Sequence, residues 1–356
     1  MKKLFVFLIA VLTLALMGCG GDAPKKDAAA PAGGDKQVLN LFSWADNFDP
    51  EVIKAFEKKY NCKVNYDVFA NNEELLAKLQ AGGAQYDLIQ PSDYMVSTMI
   101  KLHLLEKLDK KDIPNTRNLM DNLQHPQFDP TGEYSVVYTW GMTGIVYNKK
   151  YVKTPPTSWN DLWNPEYKGR VILLNDSREV IGMALKKNGW SNNSTDPEQL
   201  KKAFQDLEQL VPNILAYDTD GLKQKFIAEE GWIGTMWSGD ASFSYKENPN
   251  LGFVIPKEGT LVWADTLAIP KGAKHKELAE KFINFLFDPE ISAKNYEAIG
   301  YNDPNSNARK YHSKEYLEDP MLNTAIAHLK EGEWLHDIGD GITLYDKYWT
   351  ELKTIR

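Results

Sequence analysis

From residue 38 onward the chain alternates short strand-like runs with longer amphipathic ones, and no other feature restricts its fold as tightly. Residues 38–42 read as a strand. Asp49-Pro50 then opens a helix to about Tyr60, with the Asp as N-cap and the Pro in the first turn, where its missing N–H does no harm. Residues 63–69 read as a second strand, a helix from about Glu73 stops at Gly82-Gly83, and 86–90 form a third strand broken by Pro91. The same grammar restarts after Trp140. It gives a strand at 171–174, a helix at 178–188, a helix opened by Asp196-Pro197, and strands at 233–237 and 261–269. Helices at 275–287, 289–298 and 344–352 complete the chain. Such alternation implies an α/β fold with helices on both sheet faces, and two similar halves imply a cleft between two lobes.

Ahead of this region, Lys2 and Lys3 precede an apolar run at 4–17. It is shorter than the roughly 18–20 residues that span a bilayer, so residues 1–18 are expected to be a signal peptide. The run ends in Leu16-Met17-Gly18-Cys19, which resembles the bacterial lipobox, in which the cysteine is lipidated and becomes the mature N-terminus. Residues 19–37 are rich in Gly, Ala, Pro, Lys and Asp without periodicity and are expected to form a flexible tether. With Cys19 carrying lipid, Cys62 is expected to be a buried small hydrophobe near a strand start. Two cysteines in all exclude a disulfide scaffold and any Cys-rich metal site. A net charge of −8, from 41 Lys+Arg against 49 Asp+Glu, argues against a nucleic-acid partner, which would need a basic surface.

Ligands of open α/β sheets bind beyond the carboxyl ends of the strands. Those positions hold Ser43-Trp44-Ala45-Asp46-Asn47, Pro91-Ser92-Asp93-Tyr94, Asn175-Asp176-Ser177-Arg178-Glu179 and, after Trp237, Ser238-Gly239-Asp240. Several strand ends thus carry an aromatic ring, a carboxylate or both. Structural explanations compete: Asp176 and Glu179 fit a capping box, Ser92 or Asp93 fits a helix cap, and Trp44 and Trp237 fit the edges of a core. Strand alternation places Leu261, Trp263, Asp265, Leu267 and Ile269 on one face, so Asp265 sits in an apolar row. An unpaired buried charge costs several kcal/mol, so Asp265 needs either a distant Lys or Arg or a cationic ligand.

Rings and carboxylates together suit a ligand with amines separated by methylenes: rings attract cations, and carboxylates hold the ammonium ends. A sugar could use the same rings by stacking, and a binding protein for a sugar or an amino acid would keep the fold and change only the pocket. The chain has no His-Glu-x-x-His, no phosphate-binding Gly-rich loop and no Gly-x-Ser-x-Gly elbow, and its six histidines are scattered. Two carboxylates in a cleft would also serve a glycosidase, so motif alone leaves that class open.

Seven stretches go further: Tyr86-Asp87-Leu88 with Pro91-Ser92; Thr157-Ser158-Trp159-Asn160-Asp161-Leu162-Trp163; Pro165-Glu166-Tyr167-Lys168-Gly169; Arg178-Glu179-Val180 with Met183-Ala184-Leu185; Asp265-Thr266-Leu267-Ala268-Ile269-Pro270; Phe282-Ile283-Asn284-Phe285-Leu286; and Ile299-Gly300-Tyr301. Through them the chain resembles the polyamine-binding (spermidine/putrescine-binding) periplasmic components of bacterial ABC transporters, over nearly all of residues 38–356. The resemblance implies a two-lobed periplasmic-binding-protein fold of type II-like form, with hinge crossovers near Trp140 and Asp265 and a third crossing around Tyr301. Lobe 1 would be 38–140 with 266–301, and lobe 2 would be 141–265 with 302–356. It implies a monomeric receptor with no cofactor, metal or enzyme activity, delivering spermidine or putrescine to ABC permease subunits from the outer face of a bacterial membrane, anchored through Cys19.

By position, the resemblance assigns Trp44 to the family's first-loop tryptophan and Ser92 and Tyr94 to its Ser-x-Tyr. Asp176 and Glu179 match the pair that holds one amine end, and Trp237 and Trp263 the rings flanking the methylenes. Asp265 matches the central carboxylate, and Tyr301 the tyrosine past the last crossover. Spermidine-preferring members carry Thr-Glu-Tyr where this chain has Ala45-Asp46-Asn47, a serine at Asp240 and a glutamine at Leu335. Putrescine-preferring members resemble this chain at Asp46, Asp240 and Leu335, whereas Tyr94, Asp176 and Trp263 match the spermidine type. The mixture leans to spermidine, with putrescine as a second ligand, because Asp176 supplies an acceptor suited to a distal amine.

Overall fold

The computed structural model describes residues 36–82 and 85–355. The expected signal segment, Cys19 and most of the tether lie outside the described residues, as does Gly83. The strands are β1 (Gln37–Ser43), β2 (Cys62–Val68), β3 (Leu88–Ile89), β4 (Ser135–Asn148), β5 (Val171–Leu173), β6 (Ile214–Tyr217), β7 (Ile233–Trp237), β8 (Leu251–Val254), β9 (Thr260–Ala268) and β10 (Gly332–Trp334). β1 begins at Gln37, the last residue expected in the tether.

The strands run in the order β2-β1-β3-β9-β4-β7-β5-β6, with β10 on β9 and β8 on β4. β1 is parallel to β2 and β3, and β5 is parallel to β6 and β7. β4 and β9 run antiparallel to each other and join the two parallel groups. β4 is buried along its whole length. Up to Met142 it pairs with β9, and from Thr143 it pairs with β7 and then β8.

Two hydrophobic cores flank this central pair. One gathers Phe42, Phe56, Trp140 and Phe282; the other gathers Trp159, Leu185, Leu207 and Tyr345. Tyr316 and Leu322 pack in the first core, and Asn305 bridges to Leu119. Cys62 is buried at the first position of β2.

Local signals explain most boundaries. Asp49 accepts the Glu51 N–H at 2.9 Å and caps the helix Pro50–Tyr60. Asp196 does the same for Pro197–Leu210. Among the described residues, no helix is long and apolar enough to cross a membrane.

Candidate functional site

Where β7 ends, Trp237 is the residue before the helix Ser238–Glu247, and its indole N–H donates to Glu179 Oε1 at 2.8 Å. The Trp237 ring meets Trp263 edge-on at 5.9 Å between centroids, and Trp263 meets Tyr301 at 5.7 Å. The Tyr301 hydroxyl donates to Asp240 Oδ1 at 3.3 Å. A row of three rings therefore runs between two buried carboxylates, Glu179 at one end and Asp240 at the other. Leu335 and Leu261 pack against Trp263 and give this wall an apolar backing. Asp46 and Tyr301 line a cleft of about 770 Å³ together with Asp240.

Asp265 faces the same wall from β9. Its oxygens accept the Ser92 hydroxyl at 2.6 Å and the Thr139 hydroxyl at 3.3 Å, and no Lys or Arg among the described residues pairs with it. Of the two partners the sequence allowed, the basic side chain is absent. Trp44 Nε1, itself without a hydrogen-bond partner, approaches closely enough to favour the ionised carboxyl. Burial nevertheless dominates and pushes Asp265 up to about 6. Ser92 occupies the N-cap position of the helix Asp93–Lys101 but makes no capping bond with its side chain, because its hydroxyl is turned to Asp265. Asn72 ties Ser92 to Tyr94 by donating to both hydroxyls, at 3.0 and 3.1 Å.

At the third strand end, Asp176 caps the helix Ser177–Lys187 through Oδ1, accepting the N–H groups of Arg178 at 2.8 Å and Glu179 at 3.1 Å. The capping box is only half formed. Glu179 does not reach back to the cap; it turns to Trp237, and its Oε2 has no hydrogen-bond partner among the described residues. Burial, then the charge of Asp176, lifts Glu179 to about 7 against the Trp237 bond and nearby Arg178. The Arg178 guanidinium lies over the Tyr94 ring at 5.8 Å, joining this strand end to the Ser92 loop. The structure thus brings the ligand-binding residues singled out from the sequence to one neighbourhood. It adds Asn72, Thr139, Arg178 and Lys223, which sequence reasoning missed. Thr139 lies on β4, whose internal glycines and threonines conceal the strand pattern.

Close packing of the ring row depends on glycine. A Cβ at Gly239 would lie 2.3 Å from the Tyr301 ring. Gly239→Ala is therefore expected to push Tyr301 off Trp263 and to destabilise the protein by about 1–3 kcal/mol. A thermal melt checks this, and an unchanged melting temperature would show that the ring yields freely.

The model of the bacterial extracellular solute-binding proteins matches residues 51–324, and the chain belongs to that family. The spermidine/putrescine-binding periplasmic protein of Salmonella typhimurium is 38% identical over 100% of both chains. Among solved structures, the spermidine/putrescine ABC transporter substrate-binding protein PotD of Streptococcus pneumoniae superposes with a TM-score of 0.80 at 35% identity, covering 90% of this chain and 99% of its own. The Tp0655 (TpPotD) lipoprotein of Treponema pallidum gives 0.83 at 31% identity, covering 89% and 99%. The fold is that of the periplasmic solute-binding proteins.

Proposed function

We propose that the protein is an extracytoplasmic receptor that captures spermidine or putrescine and presents it to the permease subunits of an ABC transporter. The observation that carries this reading is the pair Glu179 and Asp265: one buried and one partly buried carboxylate beside a row of aromatic rings, with no Lys or Arg forming an ion pair with either among the described residues. An ammonium supplies the missing counter-charge, and the rings receive the methylenes and add cation–π attraction of roughly 0.5–2 kcal/mol each. A neutral sugar would leave both charges uncompensated, which favours the amine.

The lobes on this reading are 38–140 with 266–301, and 141–265 with the C-terminal chain. The third crossing on this reading lies around Tyr301, and beyond it Tyr316 and Leu322 still pack against the first core. β4 and β9 would then form the hinge about which the lobes close on the amine. A lipid at Cys19 would hold the receptor at the membrane as a single copy.

Calorimetry of the mature protein against spermidine and putrescine at low salt is expected to give a Kd near micromolar, about −8 kcal/mol. No heat with either amine, together with binding of a disaccharide, would reject the reading.

A further inference from the structure

We infer that His312 is a positioning residue for the Tyr301 ring, acting through two carboxylates that its imidazole bridges only when doubly protonated. This inference rests on the polyamine reading above.

The His312 side chain is 3% exposed, and both of its ring nitrogens face acids. Nδ1 lies 3.3 Å from Glu297 Oε1, on the helix Pro289–Ile299, and Nε2 lies 3.1 Å from Asp303 Oδ2, in the loop that follows. Neither carboxylate pairs with a Lys or Arg among the described residues. A neutral imidazole carries one N–H and an imidazolium two, so only the charged ring donates to both acids at once. The neutral ring turns a lone pair toward one of them. The ring also stacks on Tyr316, in the short helix Lys314–Leu317, at 4.0 Å between centroids and 10° between planes. The Ser292 hydroxyl and the Asn305 N–H donate to Asp303 Oδ1, both at 2.8 Å, which leaves Oδ2 to the histidine. Burial raises the Asp303 carboxyl, and the bond to His312 is the largest influence opposing that rise. The ionisable groups around the ring are thus Glu297, Asp303 and Tyr316, with Tyr296 and Asp319 beyond them.

This cluster holds the backbone that carries Tyr301. The Tyr316 hydroxyl donates to the Tyr301 carbonyl and accepts the Asp303 N–H at 2.9 Å. On the other side, Gly300 ends the preceding helix at φ 78°, in a left-handed turn where glycine leaves the chain wide latitude. The direction of Tyr301 is therefore set from the Asp303 side. Its ring has little slack, since it meets Trp263 at 5.7 Å and packs on the Gly239 backbone. A shift of residues 301–303 is passed directly to a ring that borders the cleft. When His312 gives up its second proton, one acid loses its donor and the loop loses one of its ties.

The test is His312→Phe, which keeps a ring to stack on Tyr316 but has no N–H. Spermidine affinity of wild type and variant is measured by calorimetry at pH 6 and pH 8. The pair is then compared again in a Tyr301→Ala background, which removes the ring and keeps the carbonyl. Imidazoles ordinarily gain their second proton around pH 6.5. The variant is therefore expected to bind about 5-fold more weakly than the wild type at pH 6, and within about 2-fold of it at pH 8. Comparing the two proteins at one pH cancels the titration of Glu179 and Asp265, which they share. In the Tyr301→Ala background the difference at pH 6 is expected to vanish. His312→Gln, which keeps one neutral donor, should show the same pH dependence if the Phe variant fails to fold. An equal ratio at both pH values, no loss at pH 6, or a loss that survives Tyr301→Ala would each overturn the role of His312. A wild-type protein that binds neither spermidine nor putrescine would instead overturn the functional reading itself.

Discussion

Asp265→Ala is expected to weaken polyamine binding by about 2–4 kcal/mol, roughly 30- to 1,000-fold in Kd, without destabilising the ligand-free protein. The two effects part company because of what surrounds the carboxyl. In the folded protein Asp265 is served by the Ser92 and Thr139 hydroxyls and by no basic side chain. Neutral donors solvate a buried carboxylate incompletely, which is why it rises from 3.8 to about 6. That rise is a standing penalty on the order of 3 kcal/mol at neutral pH, and removing the carboxylate removes it. Binding loses the same group as the direct counter-charge of an ammonium. Asp265→Asn should behave alike, since it keeps the shape and the hydroxyl contacts while losing the charge. Titration calorimetry and thermal melts at pH 7.5 check both halves. An affinity loss below about threefold would make Asp265 merely structural, and a large fall in melting temperature would show that its bonds hold the lobe together.

The second large effect is that of pH. Unshifted carboxylates would keep their charge down to about pH 4–5, but Glu179 at about 7 and Asp265 at about 6 lose theirs much earlier. The amines stay charged throughout this range, so the affinity follows the ionised fraction of the two acids. From pH 7.5 to 5.5 that fraction falls about 25-fold for Glu179 and about fourfold for Asp265, so binding should weaken about 100-fold. The stability of the ligand-free protein runs the opposite way. Both groups have folded values above their unfolded ones, so between about pH 4 and 7 the folded chain holds protons that the unfolded chain has released. The stability contributed by these two groups is therefore present at low pH and is lost as the pH rises through 6 and 7. Spermidine should restore it above pH 7, where the carboxylates are ionised and available. Kd and melting temperature measured across this range check both trends.

Much of this architecture was legible in the residues because the signals were local. Asp49-Pro50 and Asp196-Pro197 mark helix starts that need only a side-chain oxygen and a fixed φ, and the period-2 row at 261–269 identified β9 and the awkward position of Asp265. β4 was not legible. A strand buried on both faces has no polar alternation to reveal it, and Gly141 and Gly144 weaken its apolar run while making room for Trp263 and Phe253. Missing β4 hid Thr139 and with it half of the hydroxyl support for Asp265. The Asp176–Glu179 spacing pointed to a capping box, but the reach of Glu179 to Trp237 depends on β7 lying beside β5, which no local spacing encodes. Lys223 was invisible for the same reason: its partner Asp240 lies on another helix, brought near only by the tertiary fold.

The central claim is that buried acids without basic partners receive the ammonium groups, and it has a direct proton inventory. Spermidine is titrated into the protein at pH 6.5 in two buffers of different ionisation enthalpy, such as MES and imidazole. At that pH Glu179 holds about three-quarters of a proton and Asp265 about one quarter, so binding should release about one proton per ligand. Binding heats that are identical in the two buffers, meaning no proton leaves, would contradict the claim even if spermidine bound tightly.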